Sequence, residues 1–313
     1  MFFGMNLSLH LKPFKYTFTK QNTFKLNFMI KKLLLFNSFA MLVFCLAACN
    51  NNSKTTASNS NSTDTSMEKS IVIKSENVDY TGDGVTMKGF VAYNEALSSL
   101  RPVVLIVPEW WGIGDYTRSR AKQLAELGYL AFAVDFYGEG KSVDSPDEAG
   151  KLAGPFYAPG SNIAQKRFEA ALAKIKTYPQ ADSTKIAAIG YCFGGAMVLN
   201  MARIGEPLKG VVSFHGNLVG IPVKKELLKA DILVCHGEID QFVPATEVAT
   251  FKKQMDSVGA SYTFKSYANA THAFTNPMAD EKAKKYKMPI AYNAAADTAS
   301  FNDMKIFFNK IFK

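Results

Sequence analysis

The chain has 313 residues, of which 48% are apolar and 12% aromatic. This composition can build a large core, and it excludes a mostly disordered or collagen-like protein. The formal net charge is +9, but six lysines precede Cys49 without any acidic residue among them, which leaves about +3 for the rest of the chain. Because no run of five or more Lys or Arg is present, nucleic-acid binding is not expected.

The N-terminal segment has the pattern of a bacterial signal peptide. After Met29, two lysines precede a largely apolar stretch, 33–44, that is too short to anchor in a hydrocarbon core of ~30 Å. The sequence Leu46-Ala47-Ala48-Cys49 resembles a lipobox, in which the cysteine is acylated and becomes the new N-terminus. We therefore expect 1–48 to be a removed leader, with Met29 as a candidate start, and Cys49 to carry a lipid. The alternative is a buried core helix with two incidental cysteines.

Residues 49–69 are predicted to be the lipidated cysteine and a polar tether. The stretch 50–66 consists almost wholly of Asn, Ser, Thr, Lys, Ala and Asp, which offer too little apolar surface to offset the entropy of ordering. The sequence thus predicts an exported protein that is lipid-anchored to a bacterial membrane, on its periplasmic or cell-surface face.

The remaining residues, 70–313, alternate between strand and helix patterns. Strands are predicted at 71–74, 85–93, 103–107, 129–134, 185–189, 210–214, 232–235 and 261–267. Helices are predicted at 118–127, 163–178, 196–202, 245–257 and 297–312. The segment 135–159 is rich in Gly, Ser, Pro and acidic residues, which favours a long functional loop or a lid. This alternation predicts a single α/β domain, a mostly parallel central sheet with helices on both faces.

One motif combines a buried strand, a sharp turn and a helix. The strand at 185–189 runs into Gly190-Tyr191-Cys192-Phe193-Gly194, and helix-forming residues follow. This is the pattern of a nucleophile elbow with cysteine in place of serine. Unpaired N–H groups at the start of a helix favour a thiolate, so Cys192 is the candidate nucleophile. The alternative is a small buried cysteine without chemical function.

Candidate partners follow in the chain order that this architecture requires, which is nucleophile, acid, histidine. Asp240 lies in the loop after the strand at 232–235 and is the preferred acid, with Glu238 as the alternative. His272 follows the last strand and is the candidate general base. His215 and His236 end buried strands, where nearby backbone would satisfy them. No cluster has zinc-ligand spacing, and the predicted chemistry uses no cofactor.

Several separated motifs together resemble the dienelactone hydrolase family. They are Pro108-Glu109-Trp110-Trp111-Gly112, Asp135-Phe136-Tyr137, Gly190-Tyr191-Cys192-Phe193-Gly194-Gly195, His236-Gly237-Glu238-Ile239-Asp240-Gln241-Phe242-Val243-Pro244 and Thr271-His272-Ala273-Phe274. The resemblance extends from about residue 89 to the C-terminus. It implies an α/β-hydrolase fold in which Cys192, Asp240 and His272 form a triad, and in which Glu109 contacts the cysteine.

The resemblance also implies the surroundings of the triad. The backbone N–H groups of Trp110 and Phe193 would form the oxyanion hole. Trp111, Tyr137 and Phe274 would line an apolar or aromatic substrate pocket.

Substrate choice is where the chain departs from the family. Members that cleave dienelactone use two arginines to hold the substrate carboxylate, whereas the matching neighbourhoods here read Gly138-Glu139-Gly140-Lys141 and Thr275-Asn276-Pro277. A flexible lysine does not reproduce the planar fork of an arginine. The sequence therefore predicts a hydrolase for a small-molecule ester or lactone other than dienelactone.

Two other functions stay open at this point. One is a catalytically silent surface lipoprotein that uses the fold to bind a ligand or partner. The other is a thiol-disulfide role for Cys192 and Cys235, although the chain has no Cys-x-x-Cys motif.

Overall fold

The computed structural model of the protein describes residues 71–313. The predicted leader, the predicted lipidation site Cys49 and the tether lie outside these residues. Within the described range, no helix combines the length and the apolar character that crossing a membrane requires.

Eight strands form one sheet in the order β1-β2-β4-β3-β5-β6-β7-β8. The strands are β1 (Ile73–Gly82), β2 (Val85–Asn94), β3 (Arg101–Val107), β4 (Leu130–Ala133), β5 (Ala181–Tyr191), β6 (Gly210–Phe214), β7 (Asp231–Gly237) and β8 (Tyr262–Tyr267). The β1/β2 and β2/β4 pairs are antiparallel, and the other pairs are parallel. The predicted mostly parallel sheet is confirmed.

Helices cover both faces of this sheet. They are α1 (Asp115–Glu126), α2 (Pro146–Tyr157), α3 (Ile163–Ile175), α4 (Phe193–Ile204), α5 (Ala245–Val258), α6 (Ala279–Tyr286) and α7 (Ala294–Ile311). Alternate residues of β3 belong to two separate apolar clusters. Val103 packs in the cluster that contains α3 and α4, whereas Val104 packs in the cluster that contains α1 and α7. A strand segment that is buried on both faces must be apolar, as residues 103–107 of β3 are.

Three elements differ clearly from the sequence-based prediction. The first strand was predicted at 71–74, whereas β1 runs over Ile73–Gly82 and pairs with β2 along its whole length. The segment 135–159 is not one long loop, because helix α2 occupies its second half. Ser145 caps α2 by accepting a hydrogen bond from the N–H of Glu148, and Pro146 occupies the first helical turn. Burial of Ala149 and Phe156 against the core outweighs the unfavourable Gly and Pro content of this helix. Helix α6 was not predicted, since only one of its eight residues is buried.

The carboxyl ends of the six parallel strands, β3 to β8, meet at one edge of the sheet. In open α/β sheets this edge is where ligands bind. The loops that leave this edge carry Glu109, Cys192, His215, Asp240 and His272. The topology therefore brings these candidate site residues to one edge of the sheet.

Candidate active site

Cys192 occupies a sharp turn between β5 and α4. Its backbone has φ 54° and ψ −117°, a region that residues other than glycine rarely adopt. Gly190 and Gly194 permit the turn, because a Cβ on Gly190 would lie 2.0 Å from the carbonyl oxygen of Gly194. A Cβ on Gly194 would lie 2.1 Å from the carbonyl oxygen of Val107 on β3. The two glycines of the motif are thus needed for close backbone approach.

His272 and Asp240 form a buried pair. The Nδ1 atom of His272 lies 2.9 Å from Oδ2 of Asp240, whose side chain is fully buried. The second oxygen, Oδ1, accepts hydrogen bonds from the N–H groups of Phe242 at 2.8 Å and Val243 at 3.2 Å. The alternative acid, Glu238, is exposed and accepts only a 3.4 Å hydrogen bond, from the N–H of Asn269.

The protonation of His272 depends on both of its neighbours. Burial opposes the charged form, but the Cys192 sulfur and the hydrogen bond to Asp240 outweigh burial and raise the pKa of His272 to about 10. With Nδ1 engaged by Asp240, Nε2 is the ring nitrogen available to Cys192. This arrangement favours the protonated, imidazolium form of His272.

Glu109 follows β3, is buried, and lines the same cavity as Cys192. Its Oε2 accepts a 2.6 Å hydrogen bond from Nδ2 of Asn276. Burial raises the pKa of Glu109, while the hydrogen bond from Asn276 and the charge of His272 act in the opposite direction. The resemblance implied a contact between Glu109 and the cysteine. That contact stays a prediction. The Glu109 carboxylate is hydrogen-bonded to Asn276, in the segment where the family's second arginine was expected.

A cavity of about 240 Å³ connects these groups. Its lining includes Glu109, Cys192 and His272 together with mostly apolar side chains, which are Trp110, Trp111, Ala153, Tyr157, Phe193, Asn217, Phe242, Ala273, Met288 and Ile290. The N–H groups of Trp110 and Phe193 donate to no backbone oxygen in another element of the described range. Both residues also line the cavity, so their N–H groups are candidates for the oxyanion hole.

Two predicted pocket residues lie behind the cavity wall. Trp111 lines the cavity, but Tyr137 and Phe274 do not. The hydroxyl of Tyr137 donates to the carbonyl oxygen of Trp110 at 2.9 Å, so Tyr137 braces this loop. Phe274 is fully buried and packs edge-on against His215. Their positions next to motif residues suggested a lining role, whereas their side chains point into the core.

His215 makes contacts that the sequence did not reveal. Its Nδ1 accepts a 3.1 Å hydrogen bond from the backbone N–H of Cys192, as the prediction of a backbone partner requires. Its Nε2 lies 2.7 Å from the side-chain Oγ1 of Thr275, which was not predicted. The Thr275 hydroxyl also lies 2.6 Å from the hydroxyl of Tyr116. Burial, followed by the charge of His272, holds the pKa of His215 well below its usual range. His215 is therefore a neutral ring that joins the elbow to the loop carrying His272.

Metal ligation has no support in residues 71–313, where no three His, Cys, Asp or Glu side chains are grouped suitably for an ion. The thiol of Cys235 is fully buried, and burial raises its pKa to about 12. Among the described thiols, only Cys192 reaches a cavity.

The sheet, the flanking helices and the turn at Cys192 define an α/β hydrolase fold. A sequence model of the dienelactone hydrolase family matches residues 87–312. The chain belongs to the dienelactone hydrolase family.

Relatives and solved structures agree with this assignment. Protein usf of Aquifex pyrophilus is 30% identical over 204 residues, which cover 64% of this chain and 86% of the relative. A protein of Aquifex aeolicus provisionally named carboxymethylenebutenolidase is 30% identical over 208 residues, with the same coverage. The crystal structure of a dienelactone hydrolase-like promiscuous phosphotriesterase from metagenomic libraries is 31% identical, with a TM-score of 0.70. That match covers 76% of this chain and 98% of the other.

Proposed function

We propose that this protein hydrolyses carboxylic esters or lactones, with Cys192 as nucleophile, His272 as general base and acid, and Asp240 as the residue that orients His272. The observation that carries the proposal is the His272–Asp240 hydrogen bond of 2.9 Å in a cavity that also contains Cys192. A nucleophile, a base and an orienting acid in this arrangement are the requirements of covalent acyl transfer.

In the proposed reaction, the Cys192 thiolate attacks the carbonyl carbon of the ester. The N–H groups of Trp110 and Phe193 stabilise the oxyanion that forms. His272 then donates its Nε2 proton to the departing alcohol oxygen, and a thioester remains on Cys192. Water, activated by the now neutral His272, hydrolyses the thioester and restores the thiol. Each step places charge where the described groups can stabilise it.

Glu109 and Asn276 set the resting state in this proposal. A carboxylate near a thiolate disfavours the thiolate by charge repulsion. The 2.6 Å hydrogen bond from Asn276 fixes one oxygen of Glu109 and draws its charge toward the amide. We expect this bond to keep Glu109 from competing with His272 for the cysteine proton.

The cavity favours neutral substrates. No Lys or Arg is among its lining residues, and the only carboxylate there is that of Glu109. A substrate carboxylate would leave water without gaining a Lys or Arg partner, which is unfavourable in a buried site. This charge pattern supports uncharged esters or lactones over dienelactone.

The lipoprotein assignment is a second part of the proposal and rests on sequence alone. The segment Leu46-Ala47-Ala48-Cys49 and the polar tether after it support lipid attachment at Cys49 and export to a bacterial membrane surface. Growth of the source bacterium with a radiolabelled fatty acid tests this. Label is expected in the wild-type protein and not in a Cys49→Ala variant, and equal labelling of both would contradict the assignment.

The catalytic proposal is tested with Cys192→Ala, using p-nitrophenyl butyrate as substrate. We expect hydrolysis to fall to the uncatalysed rate, because the nucleophile is lost. Cys235→Ala is the matched control and is expected to retain activity, since its thiol is buried away from the cavity. Iodoacetamide near neutral pH should modify Cys192 and leave Cys235 unmodified. Absence of both turnover and Cys192 labelling in the wild type would favour the catalytically silent lipoprotein instead.

A further inference from the structure

A second cavity lies beside the candidate active site. Its volume is about 520 Å³, and it is enclosed by the end of α2, by α3 and α4, and by the loop after β6. Apolar side chains dominate its lining, among them Phe156, Ala158, Pro159, Met201, Ile204 and Ile221. The polar members are Ser161, Gln165 and Asn200, and none of the lining residues is charged. The cavity is therefore suited to an uncharged apolar group.

Two segments of the chain connect the cavities. Along α2, Ala153 lines the first cavity, Tyr157 lines both, and Ala158 lines the second. Along the loop after β6, Asn217 lines the first cavity, and the residues from Val219 to Pro222 line the second. Both segments therefore run from the first cavity to the second. The two cavities adjoin at Tyr157, which lines both.

Large apolar side chains are exposed where the two cavities adjoin. Tyr157 is 47% exposed, Val219 64% and Ile221 39%. Contiguous exposed apolar side chains next to a pocket mark a place where a ligand binds. The second cavity has no charged side chain in its lining, and the nearby carboxylate of Glu247 accepts hydrogen bonds from the backbone N–H groups of Leu218 and Val219.

The catalytic geometry decides which part of an ester extends into the second cavity. His272 must protonate the leaving oxygen, so the alcohol part lies on the His272 side, where Phe242 packs against the imidazole at 5.1 Å. Tyr157 instead packs against Phe193, with ring centroids 5.9 Å apart, at the start of α4. The acyl part of the ester is thus the part that is directed toward Tyr157.

We propose that the second cavity is an acyl-chain subsite, and that the preferred substrates are neutral esters whose apolar acyl chain passes Tyr157 and extends into this cavity. The inference rests on the proposed function and names its substrate class. Each methylene that moves from water into an apolar site is expected to raise kcat/KM about fourfold.

A series of p-nitrophenyl esters from acetate to decanoate, each below its critical micelle concentration, tests the proposal with the full-length protein. In the wild type, kcat/KM should increase beyond the acyl length that the first cavity accommodates. Ala158→Trp places an indole in the second cavity, so we expect a loss of at least tenfold for decanoate and less than twofold for acetate. The matched control is Ala299→Trp, because Ala299 is exposed on α7 and lines neither cavity.

Tyr157→Ala provides a second, independent measurement. Removing the ring at the junction should improve kcat/KM for decanoate relative to butyrate. If Ala158→Trp cleaved the whole series with the wild-type chain-length profile, the second cavity would belong to another occupant and the inference would be wrong. Failure of the wild type to cleave even acetate through Cys192 would instead contradict the proposed function, so the two failures are distinguishable.

Discussion

Replacing Asp240 by asparagine tests the role of Asp240 in orienting His272. The Oδ1 atom of Asp240 accepts two backbone N–H groups, from Phe242 and Val243, so the carbonyl oxygen of an asparagine must take that position. Its NH₂ group then faces Nδ1 of His272 at the position of Oδ2. Because two donors cannot share one hydrogen bond, Nδ1 must become the acceptor, and the proton moves to Nε2.

The size of the effect follows from this tautomer. Loss of a buried hydrogen bond to a charged group alone costs about 1.5–3 kcal/mol, or roughly 10- to 150-fold in rate. A histidine with its proton on Nε2 cannot accept a proton from Cys192 at that atom, and this tautomer reversal costs about 10⁴-fold in kcat in triads of this type. Because Oδ1 is fixed by two backbone N–H groups, Asp240→Asn is expected to reverse the tautomer of His272. We therefore expect a decrease in kcat of about 10⁴-fold.

The same substitution changes the pH dependence. The hydrogen bond to Asp240 helps to raise the pKa of His272 to about 10, so its removal lowers that pKa. Less imidazolium is then present at neutral pH, and less thiolate is stabilised by it. The rate of Cys192 alkylation by iodoacetamide should therefore rise only at higher pH than in the wild type.

Two measurements check this reasoning: kcat for p-nitrophenyl butyrate, and the pH profile of alkylation. Glu238→Gln is the matched control, since Glu238 is an exposed acid in the same loop and should leave both nearly unchanged. An Asp240→Asn variant with more than a tenth of the wild-type kcat, or an equal loss in Glu238→Gln, would refute the assignment of Asp240.

Three further predictions concern the elbow and the stability of the fold. Thr275→Val removes the acceptor for Nε2 of His215 and should lower kcat at least tenfold with little change in KM, whereas Thr275→Ser should restore it. Burial raises the pKa of Glu206 to about 7, so ionisation destabilises the fold as pH rises from about 4.3 through 7. Glu206→Gln should therefore have a higher Tm than the wild type at pH 8 and a similar Tm at pH 4. Gly194→Ala places a Cβ 2.1 Å from a carbonyl oxygen and should cost about 3 kcal/mol or more in urea unfolding, whereas Gly150→Ala, with open space around it, should not destabilise.

Much of the fold was predictable because its strands are buried on both faces. The run 103–107 is entirely apolar, and a short apolar run between turn signals has few alternatives to a central strand. The predicted strand 210–214 has the same bounds as β6. The glycines around Cys192 were also informative, because a Cβ added to Gly190 or Gly194 would lie too close to the backbone of another residue.

The parts that escaped prediction depend on tertiary contacts. Helix α2 contains Gly and Pro and forms because its buried face has a partner, which local sequence does not reveal. The bond between Glu109 and Asn276 joins residues 167 positions apart. The link from Cys192 through His215 to Thr275 likewise crosses three loops. A histidine at the end of a strand gives no sequence signal that separates this role from ordinary burial.

Three of the seven non-glycine residues with positive φ in residues 71–313 lie at the candidate site. Cys192, His215 and Ala273 have φ of 54°, 41° and 58°, and they follow β5, β6 and β8 at the same edge of the sheet. A side chain in this region costs of order 1–3 kcal/mol, so the surrounding contacts must hold it in place. The N–H of Cys192 is held by His215 and by the carbonyl oxygen of Phe214, at 3.1 and 3.0 Å. Packing alone does not explain why three strained residues lie around one cavity. Holding a nucleophile in position to attack a bound carbonyl would explain it. The strain therefore favours a catalytic role over a catalytically silent fold.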